Sequence, residues 1–270
     1  MIEVRDLRKT FFAGTANEVR ALRSVSLDIP EGCFVAVIGT NGSGKSTLLN
    51  AIAGTFAPDA GAVRIDGRDI TRWSESRRAR LIGRVFQNPF AGTAAGMTVA
   101  ENLAIAMRRG LSRGLGFALP RRVRDEMIER VRTLQMGLET RLDNPIGTLS
   151  GGQRQALTLL MATWLKPRLL LLDEHTAALD PKSAAQVAEL TRQIIRRDKL
   201  TALMVTHSMQ QAVELPDVIV MMHGGQIVRQ VAGPERERVR VPDLLAAFDH
   251  VRRREQLDEG VAGVLRAQYR

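Results

Sequence analysis

The sequence predicts an α/β fold with a mostly parallel sheet, on three observations. Short apolar runs alternate with segments of helical spacing along most of the 270 residues. Leu169 to Leu172 is an unbroken apolar run, the composition of a strand buried on both faces of a parallel sheet. A glycine-rich turn, Gly39 to Thr47, joins a strand to a helix at the kind of edge where such sheets bind ligands.

The elements follow in order. Phe34 to Ile38 is a strand, and Ser46 to Ala53 is a helix closed by Gly54 with Pro58 beyond. Val63 to Gly67 reads as a strand running into a turn, and Ile82 to Phe86 as another strand. From Gly92 to Thr148 the texture turns helical. Val99 to Arg109 and Arg122 to Leu134 are amphipathic, joined by a Gly- and Arg-rich connector ending at Pro120. That stretch reads as a helical insert in the sheet domain. Gly152 to Trp164 is a helix, and Pro181 to Arg197 is a second one with proline in its first turn. Ala202 to Thr206 is a strand. Val218 to Met222 and Gln226 to Val231 form a hairpin about Gly224 and Gly225. Beyond Gly233 the chain is charged, with one short apolar helix around Leu244 to Phe248, and the tail reads as a solvated helix.

Composition narrows the classes. One cysteine, Cys33, excludes a disulfide framework and a Cys-rich zinc site, and fits a reducing compartment. Met1 to Asp6 has no apolar core behind its charges, so a secretory signal is not expected there. The most apolar stretches, Ala156 to Leu165 and Leu169 to Leu172, fall well short of the roughly 20 residues of a membrane helix. Any work at a membrane therefore needs another chain to cross it. The net charge of +10 invites an acidic partner. The arginines are spread, with clusters only at Arg77 to Arg80, Arg121 to Arg124 and Arg252 to Arg254. The 4% aromatic content is too low for base-stacking platforms, and no nucleic acid is expected.

Gly39-Thr40-Asn41-Gly42-Ser43-Gly44-Lys45-Ser46-Thr47 satisfies the pattern G-x-x-x-x-G-K-[ST] between a strand and a helix. Gly39, Gly42 and Gly44 let successive N–H groups turn inward to phosphate oxygens, beside the positive end of the following helix. Lys45 reaches the β- and γ-phosphates, and the Ser46 hydroxyl suits Mg²⁺. Asp173 and Glu174 end the Leu169 to Leu172 strand. They supply a carboxylate for the metal's water shell and a general base for an attacking water. Ser150, Gly151, Gly152 and Gln153 form a second anion-binding turn at a helix start.

With Leu149 before it, that last turn reads LSGGQ, and the sequence resembles the ATP-binding-cassette ATPases over nearly its whole length. The resemblance implies a RecA-like P-loop NTPase core with a parallel sheet, an N-terminal antiparallel β subdomain and an inserted α-helical subdomain. It places the ATPase domain at 1–235, the helical subdomain at about 89–150 and a charged helical extension at 236–270. It implies ATP and Mg²⁺ as cofactors. Gln87 matches the glutamine that senses Mg²⁺, Asp180 the acid of the loop after the base, and His207 the histidine that contacts the γ-phosphate. Phe11 holds the place of the aromatic that stacks on adenine, with Phe12 the competing candidate.

Two copies are then expected to face each other head to tail, each ATP lying between Gly39–Thr47 of one and Ser150–Gln153 of the other. Membrane permease subunits would dock near Gln87 to Gly96, and a substrate-binding protein would act through them. That puts the chain peripherally on the cytoplasmic face of a bacterial inner membrane. The chain departs from the family in having His175 where Pro is usual, and the expectation is that His175 packs. The segments around Phe11, Ala91 to Gly96 and Asp173 to Asp180 resemble importers linked to aromatic amino acids. A soluble cassette acting on DNA or ribosomes is the rival reading. Such proteins carry long coiled coils with a Cys-x-x-Cys hook, or two cassettes per chain, and neither pattern is present here.

Overall fold

The strands sort into two sheets. The computed structural model describes residues 1–110 and 120–251. In chain order the elements are β1 (Ile2–Phe11), β2 (Val19–Ile29), β3 (Phe34–Gly39), α1 (Lys45–Ala53), β4 (Ala60–Ile65), β5 (Arg68–Asp69), α2 (Glu75–Arg78) and β6 (Ile82–Val85). Then come α3 (Val99–Met107), α4 (Arg121–Arg132), a 3₁₀ turn (Ile146–Thr148), α5 (Gly151–Thr163), β7 (Leu169–Asp173) and α6 (Pro181–Asp198). The chain closes with β8 (Ala202–Val205), α7 (Met209–Glu214), β9 (Val218–His223), β10 (Gln226–Val231) and α8 (Gly233–Arg238), and residues 241–251 are helical.

The six-stranded sheet runs β10-β9-β3-β8-β7-β6, parallel except for the β9–β10 hairpin. A second, four-stranded antiparallel sheet runs β2-β1-β4-β5. The N-terminal sheet is thus completed by residues 60–69, which sequence alone had offered only as a strand and turn.

Strand periodicity divides the interior into two apolar clusters. Val35, Val37, Leu169, Leu171, Leu203 and Val205 face α1 and the antiparallel sheet. Their neighbours Ala36, Ile38, Leu170, Leu172, Ala202 and Met204 face α5, α6 and the helical insert. The parallel strands β3, β6, β7 and β8 are therefore apolar on both faces along most of their length, with Arg84 in β6 and Asp173 at the end of β7 as charged exceptions. Each fully buried leucine contributes about 1.5–3 kcal/mol of burial.

The insert shares the second cluster. Val99 and Leu103 of α3, and Met127 and Val131 of α4, pack with Leu157 and Leu160 of α5. Thr98 starts α3 with a reciprocal cap to Glu101. The expected connector before Pro120 lies largely outside the described residues, as does the Arg252 to Arg254 cluster. The tail expectation needs correction where the structure describes it. Leu244 and Phe248 are buried against the second cluster, because their spacing of four puts both on one helix face.

Candidate active site

The phosphate-type loop leaves β3 at Gly39 and enters α1 at Lys45. Gly44 holds the entry with φ +96°, a left-handed conformation, and a Cβ there would lie 2.4 Å from the Ala21 carbonyl oxygen. No side chain caps α1, and no acid occupies its first turn. Its leading N–H groups therefore remain available to an anion. The Ser43 hydroxyl is buried and has no hydrogen-bond partner. Lys45 is buried, and its Nζ donates to the Gly39 and Thr40 carbonyls at 2.9 Å each. Burial holds that ammonium below the ordinary lysine value, against the opposing pull of Glu174. Asn41, Gly42 and Ser46 are exposed on the same loop.

Three parallel strands deliver the acid and base groups to the same edge. Asp173 closes β7 in register with Val205 of β8, one residue before Thr206 and two before His207. Glu174 follows with φ +45°, a left-handed conformation rare for a non-glycine residue and typical of strained functional positions. Its N–H donates to Val205 O at 2.9 Å, and its carboxylate Oε1 lies 2.8 Å from His207 Nε2. Gln87 sits two residues beyond β6 and is exposed. Ser46, Asp173 and Gln87 offer only oxygen donors of the hard type, and the uncapped helix start accommodates phosphate, so this set fits Mg²⁺ held with a nucleotide.

His175 is fully buried. Its Nε2 lies 2.9 Å from Thr191 Oγ1, which itself donates to the Val187 carbonyl at 2.8 Å. Thr191 therefore accepts from His175, fixing the proton on Nε2 and leaving a buried Nδ1 without a partner. Burial pushes the imidazole pKa down to about 4. The expectation that His175 packs agrees with this burial.

Ser150 starts α5 with its own reciprocal cap: Gln153 N–H donates to Ser150 Oγ at 3.3 Å, and Ser150 N–H donates to Gln153 Oε1 at 3.2 Å. Gly152 lies against α6, where a Cβ would come 2.7 Å from Ser183 Cβ. Asp180 caps α6 by accepting from Ser183 N–H at 3.0 Å, and hydrogen bonding from the Ser183 hydroxyl, then from its N–H, lowers the Asp180 carboxyl pKa. At the end of β1, Phe11 meets Phe56 edge to face, with centroids 5.5 Å apart, and Lys9 Nζ lies 5.6 Å from the Phe11 centroid. Phe12 is 69% exposed.

Sequence reasoning missed Arg84, which donates to Asp173 Oδ2 at 3.3 Å. Its signal was a charged residue inside the otherwise apolar Ile82 to Phe86 strand.

Residues 22–177 match the family model described as ABC transporter. The chain is 39% identical to the tyrosine transport ATP-binding protein of Clostridioides difficile (strain R20291), over 93% of this chain and 99% of that one. It is 35% identical to methionine import ATP-binding protein MetN 2 of Pseudomonas entomophila (strain L48), over 96% of this chain and 75% of that one. Among solved structures, the dimeric post-hydrolysis state of the ATP-binding cassette MJ0796 bound to ADP and Pi superposes with a TM-score of 0.73 at 28% identity. That match covers 86% of this chain and 98% of the other.

Proposed function

Because this chain belongs to the ABC transporter family, we propose that it energises a bacterial importer of aromatic amino acids through head-to-tail dimerisation on ATP. The chain is an ABC transporter ATPase. Among the described residues, no helix is long and apolar enough to cross a membrane. Transport therefore falls to permease subunits, with the chain peripheral on their cytoplasmic side. A substrate-binding protein would act beyond them. The domain division at 235 and the helical subdomain at about 89–150 belong to the same reading.

In the proposed reaction Lys45 exchanges its two loop carbonyls for β- and γ-phosphate oxygens, and the leading N–H groups of α1 hold the phosphates. Ser46, Asp173 and Gln87 would hold Mg²⁺, which when bound offsets phosphate charge and polarises the γ-phosphoryl group. Phe11 stacks on adenine. Phe56 already steadies its ring, whereas the exposed Phe12 would lose more freedom on ordering. Glu174 takes the proton of the attacking water, and His207 orients that carboxylate and meets the γ-phosphate. Catalysis is then positioning and electrostatics. Ser150 to Gln153 of a second copy would close the nucleotide from the other side, and Asp180 would lie at that seam.

One observation carries this reading: Glu174 and His207, 2.8 Å apart, stand beside Asp173 at the edge from which the phosphate-type loop also leaves. The cargo rests on the near full-length likeness to a tyrosine transport protein. Two measurements test the proposal. Purified Glu174→Gln chain should shift from monomer to dimer on Mg·ATP but not on Mg·ADP, read by light scattering. Cells lacking the chain should lose uptake of labelled tyrosine or tryptophan and regain it with the wild-type gene. A protein monomeric in every nucleotide state rejects the two-copy site, and unchanged uptake of both solutes rejects the cargo.

A further inference from the structure

A cation stands in β6 where its neighbours Ile82, Gly83 and Val85 are buried, and only 14% of its side chain is exposed. Arg84 pairs in register with Leu171, so it shares a sheet face with Leu169, Leu171 and Asp173. Its guanidinium spans three elements. Nη2 donates to Asn50 Oδ1 of α1 at 2.6 Å and to Asp173 Oδ2 at 3.3 Å. Nη1 donates to Thr55 Oγ1 at 3.2 Å and lies 3.7 Å from Glu75 Oε1. Cζ lies 4.6 Å from the ring centroid of Phe86, the residue before Gln87.

An apolar side chain would fill this face without desolvating a charge. The acceptors at Asn50, Thr55 and Asp173 instead form a place shaped for a planar fork. Asn50 lies on the helix that follows the phosphate-type loop, so Arg84 ties that helix to the end of β7. A carboxylate with both oxygens unrestrained rotates about its Cβ–Cγ bond and meets a cation in several geometries. With Oδ2 held by Arg84, the other oxygen is the one left to the cation's water shell.

We propose that Arg84 is a positioning residue for Asp173, tying the metal carboxylate to the phosphate-loop helix so that one oxygen faces the cation. The inference rests on the reading of Asp173 as the carboxylate that serves Mg²⁺, and the test separates the two. In the full chain carrying Glu174→Gln, the affinity for a fluorescent ATP analogue is measured in chelator and in Mg²⁺, and their ratio is the metal-dependent gain. Arg84→Met should leave the affinity in chelator within about twofold of the parent and lower the gain by about tenfold. Arg84→Lys, which keeps the charge without the fork, should recover only part of it. Asp173→Asn should abolish the gain, and adding Arg84→Met to it should change nothing further. Should Arg84→Met prove too unstable to purify, Arg84→Gln is read by the same ratio. A full gain in the Arg84 variants, with Asp173→Asn still abolishing it, overturns the role of Arg84 and leaves the reading of Asp173 intact. A full gain in Asp173→Asn overturns that reading itself.

Discussion

Two helices of this protein begin on glycine-rich turns, and they begin differently. α1 starts behind Gly44 with no side chain on its leading N–H groups, whereas α5 starts on Ser150, whose hydroxyl and partner Gln153 satisfy each other's backbone donors. Among the described helices, α3, α6 and α7 also start on a side chain, of Thr98, Asp180 and Ser208, that accepts from the backbone, whereas α2, α4 and α8 have no such cap. Of the uncapped starts, α1 is the one that follows the phosphate-type loop, and no acid occupies its first turn. An uncapped start leaves orphan donors whose satisfaction falls to water or a ligand, so α1 is organised for an anion before one arrives. The α5 start is complete within one chain, and an approaching phosphate adds to it without being needed to hold the helix. This difference suits a site in which one copy binds the nucleotide and the other closes on it.

The largest expected effect belongs to Glu174, which follows β7. Glu174→Gln should lower kcat by roughly 10²–10⁴-fold with nucleotide affinity retained, measured by steady-state hydrolysis and equilibrium binding. Wild-type turnover in this variant would falsify the assignment of the base. Lys45→Ala removes the charged donor at the uncapped start and should weaken ATP binding by about 10–100-fold, measured by calorimetry. An unchanged Kd would mean that the loop is not the site.

His175 ties the turn after Glu174 to α6, on which α5 leans through Gly152 and Ser183. Its pKa of about 4 lies below the unfolded value near 6.5, so between those pH values only the unfolded chain takes up the proton. Stability from this group is whole above about pH 6.5 and falls towards pH 4, by up to about 1.4 kcal/mol per pH unit. His175→Leu should flatten that dependence in denaturant titrations, and an equal slope in both proteins would contradict it.

The smallest effect belongs to the capped start. Ser150→Ala should lower stability by about 1 kcal/mol and leave nucleotide binding by the monomer unchanged, while weakening ATP-driven dimerisation. Loss of monomer binding to the same degree would erase the contrast between the two helices.

The elements that make the site were legible because their periodicity and punctuation are local. The loop from Gly39 to Thr47 announces itself by spacing. Leu169 to Leu172 reads as a strand buried on both faces, and the β9–β10 hairpin turns at Gly224 and Gly225 as expected. Less legible were β1 and β2, because Ile2–Phe11 mixes charged residues with apolar ones and bends at three register shifts against β2. α7 and α8, of six residues each, are too short to show a helical period. Residues 241–251 are largely apolar in composition, but whether Leu244 and Phe248 dock or hang in solvent depends on a surface built from distant segments.

By itself the sequence determined the local hardware: a loop whose glycines and lysine fit phosphate, a strand ending in two carboxylates, and a serine-led helix start. Only the tertiary structure decided which partners these groups have, because contacts such as His207 with Glu174, Arg84 with Asp173 and His175 with Thr191 depend on strand order and helix packing. Strand order is set by the two apolar faces of the sheet, and those faces are a property of the whole chain.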